Sequence, residues 1–171
     1  FLDLKLHDIP NTVHETIIGF NDCKIYMLTV HLSGGEEMLR KAMLAGKSIN
    51  TKVIGVSMLT SLEEEDSLTL FGNKLEDQIS NLFEIAIKAN IDGVVCSPHE
   101  LKIANKILGS HSIKITPGIR NIKVEDDQAR TMSAKEAIER GSTFLVIGRP
   151  ITQAEDISQA LQNLNNSIYE K

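Results

Sequence analysis

Apolar and β-branched positions gather in six short runs, at 1–6, 26–32, 52–57, 93–96, 113–116 and 144–148. Between them, apolar positions recur at helical spacing over 10–20, 36–45, 75–89, 99–108, 134–140 and 157–168. The clearest helix is 75–89, where Ile79, Leu82, Phe83, Ala86 and Ile87 fall on one face. Pro10 suits a first helical turn, since its missing N–H has no partner to lose there. Ser133 ahead of Ala-Lys-Glu136 reads as a capping box.

Strand and helix alternate six times, which implies a parallel sheet with helices outside it. Each unit takes about 28 residues of the 171, near the size of a βα repeat. Two folds satisfy this pattern, a doubly wound open sheet and a (β/α)₈ TIM barrel. A doubly wound sheet binds ligands mainly at its switch point. A barrel gathers functional residues from the C-terminal ends of many strands. Polar clusters follow nearly every run here: Lys5-Leu-His-Asp8, His31-Leu-Ser-Gly-Gly35, Leu59-Thr-Ser61, Thr116-Pro-Gly-Ile-Arg120 and Gly148-Arg149. No Gly-x-Gly-x-x-Gly follows a strand. The reading is a single partial barrel domain over residues 1–171. A full barrel has eight units and about 250 residues, so six units correspond to strands 3–8 of an incomplete barrel. Because Phe1-Leu-Asp-Leu4 already reads as mid-strand, the expectation is that the chain begins inside a larger protein. About 55–60 residues would then be missing from the front. The first and sixth strands should consequently keep unpaired edges.

Composition narrows the function. Hydrophobic residues are 42% of the chain, enough for a core, and the net charge of -5 leaves no basic stripe for nucleic acid. No run approaches the roughly 18 apolar residues of a membrane span. Two cysteines are too few for a disulfide framework, and Cys96 in Gly-Val-Val-Cys reads as a buried thiol, so a reduced, cytoplasmic setting fits. His7, His31 and His99 lack metal-ligand spacing, and no metal is expected. Ser33 precedes two glycines and is no nucleophile elbow. Glu63-Glu-Glu-Asp66 reads as a solvated loop or helix start.

The chemistry is concentrated in Asp3-Leu-Lys5-Leu-His-Asp8. Strand alternation puts Asp3 and Lys5 on one face and Leu2, Leu4 and Leu6 on the other, toward the helices. Charges pointing into a barrel are costly unless paired or functional. The competing reading is a structural ion pair at a strand end. Asp8 falls outside the alternation and can reach sideways toward a neighbouring subunit. Asp22-Cys-Lys24 repeats the Asp-x-Lys spacing but precedes its strand, so it reads as a solvated turn at the opposite face. Gly118-Ile-Arg120 and Gly148-Arg149 follow the last two runs, where barrels often hold a phosphate. Glycine lets backbone N–H groups approach an oxyanion, and arginine adds forked donors.

These residues resemble a known family. Phe1-Leu-Asp-Leu-Lys-Leu-His-Asp-Ile-Pro-Asn-Thr-Val13, Thr29-Val-His-Leu-Ser-Gly-Gly35, Leu59-Thr-Ser61, Ile115-Thr-Pro-Gly-Ile-Arg120, Asp127-Gln128 and Val146-Ile-Gly-Arg-Pro-Ile-Thr152 resemble, in order, the motifs of orotidine 5'-phosphate decarboxylases. The resemblance implies conversion of orotidine 5'-phosphate to uridine 5'-phosphate in pyrimidine synthesis, with neither metal nor organic cofactor. It makes Lys5 the proton donor to C6 of the pyrimidine and sets Asp3 beside the substrate carboxylate. Asp8, Ile9 and Thr12 would reach the partner's site in a homodimer. Thr60 would meet the pyrimidine amide, and Arg120, Gln128, Gly148 and Arg149 would hold the phosphate, with 121–130 as a closing loop. The family also uses an Asp from strand 1 and a Lys from strand 2, and neither strand is in this sequence. Two alternatives remain beside it: a Mg²⁺-dependent sugar-phosphate decarboxylase or synthase of the same superfamily, and an inactive fragment.

Overall fold

The computed structural model describes residues 1–120 and 132–169. Six strands form one all-parallel sheet in sequential order: β1 (Leu2–Leu6), β2 (Met27–His31), β3 (Lys52–Val56), β4 (Gly93–Val95), β5 (Ile113–Thr116) and β6 (Phe144–Leu145). The helices that return the chain are α1 (Pro10–Ile18), α2 (Gly35–Ser48), α3 (Glu64–Phe71), α4 (Leu75–Lys88), α5 (Leu101–Leu108), α6 (Ala134–Glu139), α7 (Arg149–Thr152) and α8 (Ile157–Tyr169). All six runs read from the sequence are strands. β6 is shorter than its run: only Phe144 and Leu145 are paired as strand, although Val146 N–H still donates to Thr116 O at 2.9 Å. Of the helices, α3 takes up the helix-start reading of Glu63-Glu-Glu-Asp66, and the single turn α7 has no counterpart in the sequence reading.

The core lies between the sheet and the helices. Met38, Leu39, Ala42 and Ala45 of α2, and Ile79, Leu82, Phe83 and Ala86 of α4, are buried against Leu28, Val30, Val53 and Val94. Burying a side chain the size of Phe83 contributes about 1.5–3 kcal/mol, and its truncation to Ala would cost about 3–5 kcal/mol. Gly55 is required by close approach, since a Cβ there would lie 2.2 Å from Leu32 Cδ2. On the other face of the sheet, Met27, Ile54 and Ile115 pack with Val95 and Ile113 as a separate apolar layer. That layer fills the inside of the curl.

The sheet curls without closing. Phe1, Asp3 and Lys5 from its first strand and Val146 from its last line one shared cavity, yet β1 and β6 do not pair. The result is an incomplete (β/α) barrel in which, among the described residues, the outer edges of β1 and β6 are unpaired, as the count of six units predicts. Phe1 (51% exposed) and Val146 (42%) stand at those edges.

One expectation about β1 needs correction. Leu2 and Leu6 pack on the core, but Leu4 is 40% exposed. Undisturbed alternation fails because the pairing shifts: Leu2 is opposite Leu28, while Leu6 is opposite Val30. Four residues of β1 advance against two of β2, with Lys5 in the left-handed region at φ 52°. The strand is bulged at its chemically interesting residue.

Candidate functional site

Asp3 and Lys5 meet on one face of β1, as their alternation predicts, although the strand is bulged between them and β2. Lys5 Nζ lies 2.5 Å from Asp3 Oδ2. Thr29, fully buried in the centre of β2, donates its hydroxyl to Asp3 Oδ1 at 2.8 Å and accepts the Lys5 backbone N–H at 2.8 Å. Both charged side chains remain nearly half exposed, at 40% for Lys5 and 46% for Asp3. They are paired with each other yet open to a ligand.

Both border a cavity of about 150 Å³ at the C-terminal ends of the strands. Thr60, after β3, lines it, as do Val56, Met58, Val95, Cys96, Ser97 and Pro117. The chamber is apolar, with its charged pair at one side. An electrostatic contact is strengthened in such a setting because water is partly displaced. Cys96 is a spectator: burial, with Glu100 nearby, pushes its thiol well above the ordinary value and keeps it neutral. Ser97 opens a capping box with Glu100, whose buried carboxylate also accepts the Ser57 hydroxyl at 2.8 Å. This network fixes the cavity wall where β3 and β4 end.

His31 ends β2 beside the pair. Its ring centroid is 5.3 Å from that of His7. Burial lowers its pKa below the ordinary imidazole value; His7 and Lys5 act in the same direction, and Asp3 opposes them. The neutral imidazole is favoured.

The other predicted residues are placed as follows. Asp8 does not join the Asp3–Lys5 pair; its Oδ1 accepts the Ile9 N–H at 2.7 Å in the turn before α1. Ile9 is 67% exposed and Thr12 is exposed on α1, so Asp8, Ile9 and Thr12 form an outward-facing group. Gly118 adopts φ 76°, which favours glycine, and Arg120 follows it. The Arg120 N–H donates to Met132 O at 2.9 Å, and Met132 N–H to Gly118 O at 3.2 Å, so the chain on either side of 121–131 is pinned together. Gly148 precedes α7, which begins at Arg149. Arg120, Gly148 and Arg149 are not among the residues lining the Lys5 cavity. Gln128 and the stretch 121–130 lie outside the described residues, apart from the flanking bridge of Ile119 with Met132.

A second, larger cavity, about 380 Å³, lies at the opposite end of the sheet, lined by Tyr26, Lys47, Thr51, Lys52 and Asp92. It gathers none of the predicted residues and sits at the strand starts, the end of a barrel that serves stability rather than chemistry. Asp22, Cys23 and Lys24 are exposed before β2, as their position predicts. Among the described residues, no group of three or more His, Cys, Asp or Glu side chains can hold a metal ion. No described helix is long and apolar enough to cross a membrane.

The sequence model of the "Orotidine 5'-phosphate decarboxylase / HUMPS family" matches residues 1–164. The chain belongs to that family. An orotidine 5'-phosphate decarboxylase of Actinobacillus succinogenes is 42% identical over 174 residues, covering 98% of this chain and 75% of the relative. One from Mannheimia succiniciproducens is 43% identical, covering 98% and 74%. The crystal structure of orotidine 5'-phosphate decarboxylase from Lactobacillus acidophilus superposes with a TM-score of 0.82 at 32% identity, covering 99% of this chain and 75% of that one. The chain thus spans about three quarters of the length of these relatives. The family's barrel accounts for the six-stranded curl.

Thr29 is the site residue that sequence reasoning missed. A threonine inside Met27-Leu-Thr-Val-His31 reads as a β-branched strand former, and only its place two residues before His31 hints that it faces the same side.

Proposed function

We propose that the protein decarboxylates orotidine 5'-phosphate to uridine 5'-phosphate, with Lys5 as proton donor and with no metal or organic cofactor. The observation that carries this reading is the Asp3–Lys5 pair on the wall of an apolar cavity at the strand C-termini, in a chain whose relatives bear that enzyme's name. The C6–carboxylate bond breaks, CO₂ leaves, and the electron pair remains on C6. The Lys5 ammonium stabilises that developing charge and then delivers a proton to C6. Asp3 holds the ammonium and borders the departing carboxylate. Thr60 meets the pyrimidine amide. Arg120, Gln128, Gly148 and Arg149 grip the phosphate, whose binding energy helps to lower a barrier at a distant atom.

Asp8, Ile9 and Thr12 are assigned to a homodimer contact, in which they reach the partner's site. Their exposure at the start of α1 supports this, since a 67% exposed Ile9 is covered well by a second chain. The full set of residues 1–171 acts as one partial-barrel domain.

The unclosed sheet supports a second reading. This chain spans about three quarters of the length of its relatives, and among the described residues the β1 and β6 edges are unpaired. On that reading the chain recognises the nucleotide but needs further βα units for turnover. Incubation of the 171-residue protein with orotidine 5'-phosphate, with and without a chelator, separates them. Chelator-insensitive formation of uridine 5'-phosphate supports the first reading. Binding of uridine 5'-phosphate without turnover supports the second. Turnover abolished by chelator and restored by Mg²⁺ would overturn the cofactor-free mechanism.

A further inference from the structure

We infer that Thr29 is a positioning residue that locks Lys5 and Asp3 into one geometry; its bearing on catalysis rests on the function proposed above. The hydrogen bonds around it have a fixed direction. A backbone N–H can only donate, so the Lys5 amide makes Thr29 Oγ1 an acceptor. The hydroxyl has a single proton, and that proton is directed at Asp3 Oδ1. The other carboxylate oxygen, Oδ2, faces the Lys5 ammonium. The circuit runs from the Lys5 backbone through Thr29 and Asp3 back to the Lys5 side chain.

Two features make Thr29 the anchor of this circuit. It is fully buried on an interior strand whose ladder with β3 is regular from Met27 to His31, whereas Asp3 and Lys5 lie on the edge strand β1. It also accepts the Lys5 backbone N–H within the stretch where the register shifts. Lys5 stands in the left-handed region, which a lysine rarely adopts, and the pairing of β1 with β2 shifts around it. The Thr29 hydroxyl takes the Lys5 amide and thereby holds the bulge that presents the amine to the cavity. A β-branched residue serves this role because its χ1 is stiff. Thr29 lies behind the pair and is not among the cavity-lining residues, so it acts through Asp3 and Lys5 and not on a substrate.

The test uses the whole chain and two readouts. The first is amide hydrogen exchange by NMR, which needs no turnover. In the unmodified protein the Lys5 amide should exchange at least ten-fold more slowly than that of Lys24 in the exposed turn. Thr29→Val, which keeps the shape and removes the hydroxyl, should accelerate Lys5 exchange about ten-fold or more and leave Leu28 and Val30 unchanged. Thr29→Ser should restore protection. An unprotected Lys5 amide in the unmodified protein would overturn the inference even if Thr29→Val failed to fold. Unchanged Lys5 exchange in a folded Thr29→Val would do the same. The second readout is turnover of orotidine 5'-phosphate. Thr29→Val should lower kcat at least ten-fold, shift KM less than three-fold and be largely rescued by Thr29→Ser; an equal loss through KM would contradict a positioning role. Absence of turnover in the unmodified protein would count against the proposed reaction, while the exchange measurement would still decide the role of Thr29.

Discussion

Lys5 Nζ rests 2.5 Å from Asp3 Oδ2 although Lys5 occupies a left-handed backbone conformation on a bulged edge strand. This pair is a poor stabilising device. Both side chains are nearly half exposed, and exposed ion pairs contribute about 0–1 kcal/mol. Holding a non-glycine residue at positive φ costs of order 1–3 kcal/mol. Such strain concentrates at functional sites. Lys5→Ala should therefore change the unfolding free energy by less than about 1 kcal/mol in a denaturant titration. A loss of several kcal/mol would reassign the pair to the fold.

Arg149 begins α7 directly after Gly148, beyond the last strand. A charge-assisted hydrogen bond contributes about 1.5–3 kcal/mol, which is roughly ten- to a hundred-fold in affinity. Arg149→Ala should weaken binding of uridine 5'-phosphate by that factor and leave binding of uridine nearly unchanged, as measured by calorimetry. Equal losses for nucleotide and nucleoside would show that Arg149 supports the fold and makes no phosphate contact.

His31 gives the fold a pH dependence of known sign. Burial, followed by His7 and Lys5, lowers its pKa below the ordinary 6.5. The unfolded chain therefore takes up this proton first as pH falls. Stability contributed by the neutral ring is complete above 6.5, declines as pH drops below it and levels off beneath the folded value. Denaturant unfolding of His31→Gln should show a smaller decline across that window than the unmodified protein. An identical slope in both would mean that another group carries the dependence.

The outward placement of Asp8, Ile9 and Thr12 leads to a complementation experiment. If Asp8 serves the partner's site, a Lys5→Ala chain mixed with an Asp8→Ala chain forms a heterodimer with one intact site. Activity should return on mixing two inactive variants. Persistent inactivity of a demonstrated heterodimer would place Asp8 in its own chain's site.

The strand–helix alternation, the barrel and its open edges were legible because buried parallel strands leave short apolar runs and α4 keeps a helical period over 14 residues. Helix α3 was legible only as one of two readings of Glu63-Glu-Glu-Asp66, a solvated loop or a helix start, because Ser67 is its only buried residue. Asp3 and Lys5 were legible together because they alternate onto one face of β1, and Thr60 entered through the resemblance of Leu59-Thr-Ser61 to the family's motif. The bulge behind the pair and the Thr29 hydrogen bonds that meet it were not. A bulge centred on a lysine leaves no glycine in the sequence to mark it, and a buried threonine in an apolar strand looks like any β-branched former.

Release of labelled CO₂ from orotidine 5'-phosphate carrying an isotopic label in its C6 carboxylate tests the central claim most directly. The 171-residue protein should release label in the presence of chelator, and Lys5→Ala should slow release by about 10²–10³-fold, the span of one lost electrostatic stabiliser of developing charge. No release by the unmodified protein, or comparable rates with and without Lys5, would contradict the account.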